Sequence, residues 1–244
     1  MTFRKLLSPG LHSLAILPLA AALMAIPLIV RAANTKPNIL YVVADDLGWK
    51  DVGFHGSDIR TPNIDKLADG GAQFDQFYAQ PMCTPTRAAL MTGRYPFRYG
   101  LQTFVILSRH TYGLPTDEWL LPQALKEAGY QTAIIGNWHL GHADKKYWPR
   151  QRGFDYQYGP LMGEIDYFTH KHHGVVDWYR NNELVKEKGY STTLLGNEAV
   201  KLVNEHDTVR PLYLYLAFNA EADERTRRYD GRAHGPADRI SDHP

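Results

Sequence analysis

Cysteine is almost absent from this 244-residue chain, in which Cys83 is the single example. One thiol excludes an intrachain disulfide and any zinc or iron–sulfur site built from several thiolates. An excess of one charge is absent too, because 27 Lys and Arg residues face 26 Asp and Glu residues and leave a formal charge of +1. The sequence therefore predicts no nucleic-acid partner. With 44% hydrophobic residues the chain can build a globular core, so its function must be inferred from local sites.

Long apolar runs are scarce as well, and the one that occurs lies near the N-terminus. Residues 14–30 carry no charge and follow Arg4 and Lys5, which is typical of an export signal, here cleaved after Ala32. We therefore expect residues 1–32 to be a signal peptide and the protein to be exported, either to a periplasm or outside the cell. The alternative is an uncleaved membrane anchor, since 17 uncharged residues approach the roughly 17–25 needed to span a bilayer.

Strand-like and helix-like segments alternate through the rest of the chain. This alternation predicts an α/β domain with a mostly parallel sheet flanked by helices. We expect the continuous apolar strand 38–44 to be covered on both faces. The other predicted strands are 132–135 and 212–218, and the predicted helices are 62–70, one that starts just after Cys83, 119–128 and 194–203.

Polar residues follow each predicted central strand. In a parallel sheet the carboxyl ends of the strands are where function gathers, and here they carry Asp45-Asp46, residues 137–139 and Asn219. Adjacent carboxylates repel each other unless a cation neutralises them, and their hard oxygen atoms suit Ca²⁺ or Mg²⁺. The alternative for the Asp pair is an ordinary turn with a helix N-cap.

The segment Cys83-Thr-Pro-Thr-Arg87 is the strongest local signal in the sequence. It predicts that Cys83 lies at the entrance of a helix, where backbone N–H groups and the helix dipole attract an anion. Arg87, one turn later, would lie on the same side and could hold an oxyanion. The alternative is a small buried cysteine at a helix start, with Arg87 on the surface.

Several motifs together resemble the type I sulfatases, which are formylglycine-dependent members of the alkaline phosphatase superfamily. Cys83-x-Pro-x-Arg87, followed by Leu-Met-Thr-Gly-Arg at 90–94, resembles the signature in which the cysteine is oxidised to formylglycine. The resemblance covers about residues 36–220, implies the N-terminal part of an alkaline-phosphatase-like domain, and is greatest to the arylsulfatase B branch. The other matching segments, in the order of the family, are 36–49, 61–65, 136–141, 152–155 and 166–170.

The resemblance implies a mechanism and its partners. A formylglycine-generating enzyme would modify Cys83, and the hydrated aldehyde, a gem-diol, would attack the sulfur of a sulfate ester. The substrate would be a small sulfate ester or a sulfated sugar, and Ca²⁺ would offset the charge on the sulfate oxygens. By the same resemblance Cys83, Arg87 and His139 are catalytic, Asn137 and His170 bind substrate, and Asp45, Asp46 and residue 83 bind the metal. The match at His170 is looser, and a solvated histidine beside His172 and His173 is the alternative.

Asn137 departs from the family pattern, which usually has a lysine that helps to hold the sulfate. Asparagine keeps a hydrogen-bond donor but loses the charge. In a site built around an anion, such a loss costs on the order of 10² to 10³ in rate. We therefore expect a weak or altered enzyme rather than an inactive one.

The resemblance ends near Ala220, and Glu221 and Ala222 stand where the family has Pro-His. Residues 221–244 contain five arginines and no lysine, with Ile240 the only large aliphatic residue. We expect an unrelated tail, either frameshifted or natively disordered, behind a partial catalytic domain at 33–220. Such a chain would lack further metal and sulfate ligands of the family, so we expect weak calcium binding and low activity.

Two other functions remain open at this stage. Some relatives with the same modified cysteine hydrolyse phosphonates or phosphodiesters, and the pocket residues that decide this cannot be placed from sequence. A non-catalytic fragment that binds anions is the second alternative, which Asn137 and the tail favour.

Overall fold

The computed structural model describes residues 36–219. The predicted signal peptide at 1–32 and the predicted tail at 221–244 lie outside the described residues. No helix among the described residues is long and apolar enough to cross a membrane.

A six-stranded mixed sheet forms the centre of the fold, in the order β1-β8-β2-β3-β6-β7. The first four strands in this order are parallel, whereas β6 and β7 pair antiparallel at one side. The predicted α/β class is therefore confirmed. The strands of this sheet are β1 (Ile39–Ala44), β2 (Gln131–Gly136), β3 (Tyr156–Gly159), β6 (Tyr179–Arg180), β7 (Glu183–Leu184) and β8 (Leu212–Phe218), and a separate hairpin consists of β4 (Lys171–His172) and β5 (Val175–Val176).

Between residues 36 and 219, four α-helices lie among the strands. They are α1 (Pro62–Gly70), α2 (Cys83–Thr92), α3 (Leu121–Glu127) and α4 (Ser191–Glu205). Helix α2 begins at Cys83 itself. Helix α3 begins two residues later than predicted, because the Leu120 backbone N–H donates to the Gln123 side chain and the helix starts there. Short 3₁₀ turns occur at Trp49–Asp51, Gly53–His55, Pro96–Tyr99, Lys145–Tyr147 and Pro149–Gln151.

Two apolar clusters pack against opposite faces of the sheet. Strand β8 shows the alternation clearly, since Tyr213 and Tyr215 face one cluster and Leu214 and Leu216 face the other. The first cluster includes Ala88 and Met91 of α2, and the second includes Leu195 and Ala199 of α4. The sheet is therefore covered by α2 and α3 on one face and by α4 on the other.

Strand β1 is an exception to this two-sided cover, and the prediction for it was wrong. Leu40 is 60% exposed and Val42 is 53% exposed, whereas the alternate residues Ile39, Tyr41 and Val43 pack on the first cluster. The reason is topological: β1 lies at an edge of the sheet, and α4 packs on β2, β3 and β8. Although all six residues of β1 are apolar, the described residues cover only one of its two faces.

The register brings three strand ends to one edge. Ala44 pairs with Phe218, and Gly136 pairs with Ala217, so the residues that follow β1, β8 and β2 leave the sheet side by side. Gly136 has a φ of 107°, and a Cβ there would lie 1.9 Å from the Ala217 carbonyl oxygen. Glycine is therefore required where β2 ends against β8.

Candidate active site at the carboxyl edge of the sheet

The Asp45 carboxylate is the centre of the site and joins three segments of the chain. Its Oδ1 accepts a hydrogen bond from the Cys83 thiol, with an S···O distance of 3.3 Å. Its Oδ2 accepts Nη2 of Arg87 at 3.1 Å and Nδ2 of Asn137 at 2.9 Å. The ends of β1 and β2 and the first turn of α2 thus meet at one carboxylate, as the sequence predicted from the strand ends.

Arg87 lies inside the protein, with 2% of its surface exposed. Its Nη1 donates to the Asn137 carbonyl oxygen at 2.8 Å and to the Tyr215 hydroxyl at 3.1 Å. Burial by itself would lower its pKa, but Tyr215 and Asp45 raise the pKa above its usual value. The guanidinium therefore stays charged, and the alternative of a surface arginine is wrong.

Cys83 is the first residue of α2, and no side chain caps this helix end. Burial, and after it the negative charge of Asp45, raises the pKa of the thiol to about 12. The unmodified cysteine is therefore a neutral thiol at physiological pH, even though Arg87 and the helix N-terminus favour the thiolate.

Asp45, Asp46 and Cys83 form a candidate metal centre. Each offers one ligand atom, and these atoms lie within 4.8 Å of one another. Asp46 has a left-handed backbone with a φ of 56°, and burial followed by the Asp45 charge raises its pKa. Two carboxylates at this distance suit a hard divalent cation, whereas the sulfur atom does not.

His139 lies beside this centre and is held from several sides. Its Nε2 is 3.1 Å from the Ile106 carbonyl oxygen, which requires the proton on Nε2 and leaves a lone pair on Nδ1. Nδ1 is buried and has no hydrogen-bond partner among residues 36–219. Burial, and after it the positive charge of Arg87, lowers the pKa of His139 to about 4. The site therefore contains a neutral imidazole.

Asn137 is fully buried and belongs to the same cluster. Besides the bond to Asp45, its Nδ2 donates to the Gly163 carbonyl oxygen at 3.1 Å. Its Oδ1 is buried and accepts no hydrogen bond from any part of the chain that the structure describes. The asparagine therefore occupies the site as a neutral donor with one unused acceptor.

His170, the seventh residue predicted for the site from the family motifs, makes its ring contacts elsewhere. The ring stacks on Trp178 with centroids 4.5 Å apart, and Nε2 lies 3.0 Å from the Gly189 carbonyl oxygen. It is 1% exposed, so the alternative of a solvated histidine is wrong. These contacts tie His170 to the segment that follows the β4–β5 hairpin, whereas His172 is among the groups that lower the pKa of His139.

Three structural residues of the site were missed by sequence reasoning. Thr84 donates to the His139 carbonyl oxygen at 2.9 Å and accepts the Ile106 N–H at 3.1 Å. Tyr215 holds Arg87, and Gly163 contacts both Asn137 and His139. The position of Thr84 next to Cys83 was an available signal, whereas nothing in the sequence around Gly163 indicates its contacts.

Comparison with known proteins agrees with this geometry. The sulfatase family profile matches residues 37–235. Arylsulfatase J of Mus musculus is 41% identical over 197 residues, covering 78% of this chain and 33% of the relative. N-acetylgalactosamine-6-sulfatase of Homo sapiens is 36% identical over 209 residues, covering 77% and 40%. The chain thus spans less than half the length of these curated relatives.

Two solved structures have the same fold. Ps i-CgsB in complex with k-i-k-neocarrahexaose superposes with a TM-score of 0.70 at 41% identity and covers 76% of this chain and 45% of that one. BT4656 in complex with D-glucosamine-2-N,6-O-disulfate has a TM-score of 0.62 at 27% identity and covers 76% and 34%. The motifs, the fold and these matches lead to one conclusion: the chain belongs to the sulfatase family.

Proposed function

We propose that the chain carries part of the catalytic centre of a sulfuric ester hydrolase, with residue 83, as formylglycine, supplying the nucleophile and Ca²⁺ as the cofactor. The observation that carries the proposal is the Asp45 carboxylate, which holds Cys83, Arg87 and Asn137 within hydrogen-bonding distance. A nucleophile position, a buried cation and a metal-binding carboxylate in one cluster suit attack on an anionic ester.

The donor set supports modification of residue 83. Calcium prefers oxygen ligands, and Asp45 and Asp46 offer them, but the third ligand atom of the cluster is the sulfur of Cys83. Replacement of the thiol by the oxygen-bearing side chain of hydrated formylglycine would make all three ligands oxygen atoms. Cys83 is half-buried under Asp45, so a formylglycine-generating enzyme would act before folding.

Asp45, Asp46 and residue 83 would hold the metal. When bound, Ca²⁺ would offset negative charge on the sulfate oxygens and favour ionisation of the attacking hydroxyl. These residues supply fewer than the six to eight oxygen ligands that calcium takes, so the remaining ligands would be water or other parts of the complete site.

The other side chains would position the reacting groups. Arg87 is anchored by Asp45, Tyr215 and the Asn137 carbonyl, so its charge is fixed beside residue 83 without rearrangement. His139 is a neutral imidazole held beside residue 83, which suits a group that handles a proton there. Thr84 fixes the backbone of His139 next to residue 83.

A sulfated sugar is the substrate class we propose. Two structural relatives are complexes with sugars, one with k-i-k-neocarrahexaose and the other with its substrate D-glucosamine-2-N,6-O-disulfate. Export through the signal at 1–32 would bring the protein to such extracellular glycans, and this remains part of the proposal.

The test is to produce the full chain with and without a formylglycine-generating enzyme. Mass spectrometry of the peptide containing residue 83 would report the aldehyde, and hydrolysis of 4-nitrophenyl sulfate would be measured with Ca²⁺ and with a chelator. We expect turnover that requires both the aldehyde and Ca²⁺ and that is absent in Cys83→Ala. Turnover of an aryl phosphonate but not of the sulfate, or no turnover by a chain shown to carry the aldehyde, would contradict the proposal.

A further inference from the structure

Asp177 is a buried carboxylate that the proposed chemistry does not use. It lies in the link between β5 and β6, and 7% of its surface is exposed. None of the ion pairs between residues 36 and 219 includes it. Burial raises the pKa of its carboxyl group, so the charged form depends on the hydrogen bonds that the carboxylate accepts. The donors of those bonds therefore indicate its role.

Asp177 binds the segment 160–163, which follows β3. Its Oδ2 accepts the Met162 N–H at 2.7 Å, and its Oδ1 accepts the Leu161 N–H at 3.4 Å. Hydrogen bonds to a charged acceptor are stronger than those between neutral groups. A carboxylate that accepts from two consecutive backbone N–H groups therefore holds this segment in one conformation.

The same segment contacts Asn137 and His139. The His139 backbone N–H donates to the Leu161 carbonyl oxygen at 2.9 Å. The Gly163 carbonyl oxygen accepts Nδ2 of Asn137 at 3.1 Å, and the Gly163 backbone lies against the His139 ring. Leu161 thus contacts Asp177 through its N–H and His139 through its carbonyl oxygen. A single residue links the buried carboxylate to the backbone of His139.

Asp177 is also held from the opposite side. Its backbone N–H donates to the His170 carbonyl oxygen at 2.9 Å, and the next residue, Trp178, stacks on the His170 ring. Trp178 is fully buried, so a shift of Asp177 would disturb the core. His170 therefore supports the position of Asp177.

We propose that Asp177 is a positioning residue of the proposed active centre, which acts through the segment 160–163 to hold His139 and Asn137 beside residue 83. This inference rests on the proposed function and deepens it, because it assigns the position of the proton-handling group to a carboxylate on another segment. Small displacements of such a group lower the reaction rate strongly, so a positioned imidazole needs a rigid support.

The test uses the full chain with Asp177→Ala, Asp177→Asn and the control Asp155→Ala. Asp177→Ala removes both acceptors, whereas Asp177→Asn keeps one carbonyl oxygen for the Met162 N–H. Asp155 also accepts a backbone N–H, that of Thr132 at 3.2 Å, but Thr132 lies near the start of β2, at the opposite edge of the sheet. All proteins are compared at a temperature at which circular dichroism shows them to be folded.

The first readout is the NMR spectrum of the His139 ring nitrogens, which does not depend on activity. It is recorded on the unmodified chain with a chelator and assigned with His139→Gln. In the unaltered chain and in Asp155→Ala we expect one tautomer with the proton on Nε2, because the Ile106 carbonyl oxygen accepts that proton. Asp177→Ala should give chemical shifts averaged between both tautomers. A merely structural role would lower the melting temperature and leave this spectrum unchanged.

The second readout is hydrolysis of 4-nitrophenyl sulfate in Ca²⁺ buffer by chains shown to carry the aldehyde. We expect kcat per folded molecule to fall on the order of 10²-fold in Asp177→Ala and about 10-fold in Asp177→Asn. The value for Asp155→Ala should change less than about twofold, because Asp155 holds the other end of β2.

A single-tautomer spectrum in Asp177→Ala, or a loss of kcat no larger than in Asp155→Ala, would overturn the inference. If Asp177→Ala does not fold, Asp177→Asn decides instead, and a native ring spectrum with an unchanged kcat overturns it. An unaltered chain that carries the aldehyde but hydrolyses no sulfate ester contradicts the proposed function. The ring spectra still decide in that case whether Asp177 positions His139.

Discussion

Gly163 lies directly against the ring of His139. A Cβ added at Gly163 would lie 2.1 Å from Nδ1 of His139, which is far inside van der Waals contact. The same glycine accepts the Asn137 side chain through its carbonyl oxygen. The absence of a side chain at position 163 therefore leaves room for the His139 ring, and the Gly163 carbonyl oxygen holds the Asn137 side chain.

Substitution Gly163→Ala should damage the site more than the fold. The added methyl group must displace the His139 ring, and loss of a positioned acid–base group costs on the order of 10²-fold or more in rate. Gly196→Ala, in α4 with no atom near the added Cβ, is the matched control. Hydrolysis of 4-nitrophenyl sulfate and the melting temperature would both be measured. An active Gly163→Ala protein would show that the ring position of His139 is unimportant.

The end of β2 offers a prediction about stability. Gly136→Ala combines a left-handed φ of 107° with a Cβ 1.9 Å from the Ala217 carbonyl oxygen, whereas Gly129→Ala has a φ of 90° and open space around the Cβ. We expect Gly129→Ala to cost about 1 kcal/mol from backbone strain alone and Gly136→Ala to cost more than about 3 kcal/mol. Urea unfolding followed by circular dichroism would measure both. Equal costs would mean that the sheet relaxes around the added methyl group.

The cluster around Asp45 was predictable from sequence where it depends on strand ends and a local motif. Asp45 and Asn137 each follow a strand of the parallel part of the sheet, and parallel strands end at a common edge, so their meeting follows from the fold class. Cys83 and Arg87 are one helical turn apart, so the sequence alone predicts that they lie on the same side of the helix.

Other features depend on contacts between distant segments and could not be predicted. The exposure of Leu40 follows from the place of β1 at the sheet edge, which a run of apolar residues does not reveal. His170 stacks on Trp178 because the hairpin folds back on the segment after it. The spacing of the motif does not predict this contact. Tyr215 reaches Arg87 across 128 positions in the chain.

Asn137→Lys tests the effect of the missing charge in the proposed sulfate site. Asn137 already contacts Asp45, so a lysine amine there could pair with this carboxylate and face the substrate anion. We expect kcat/KM for 4-nitrophenyl sulfate to rise on the order of 10² in a chain that carries the aldehyde. Asn197→Lys, at an exposed position of α4, adds the same charge away from the site and is the control. No gain in Asn137→Lys would mean that another part of the site limits the rate.

Loss of the Asp45–Arg87 pair should lower the free energy of unfolding more than loss of a surface ion pair. Arg87 and Asp45 have side chains only 3% and 16% exposed, at 3.1 Å from each other. Arg87→Met leaves the Asp45 carboxylate without its buried cation, and breaking such a pair costs about 3 to 5 kcal/mol. Asp45→Asn in the same chain removes the uncompensated charge, so the double variant should unfold at a higher urea concentration than Arg87→Met alone. Chelator in the buffer keeps metal binding out of the comparison. Lys146→Met is the control, because both side chains of the Lys146–Asp144 pair are about half exposed and its loss should cost far less stability than Arg87→Met. If Arg87→Met and Lys146→Met lose the same stability, the buried pair does not hold the edge of the sheet together.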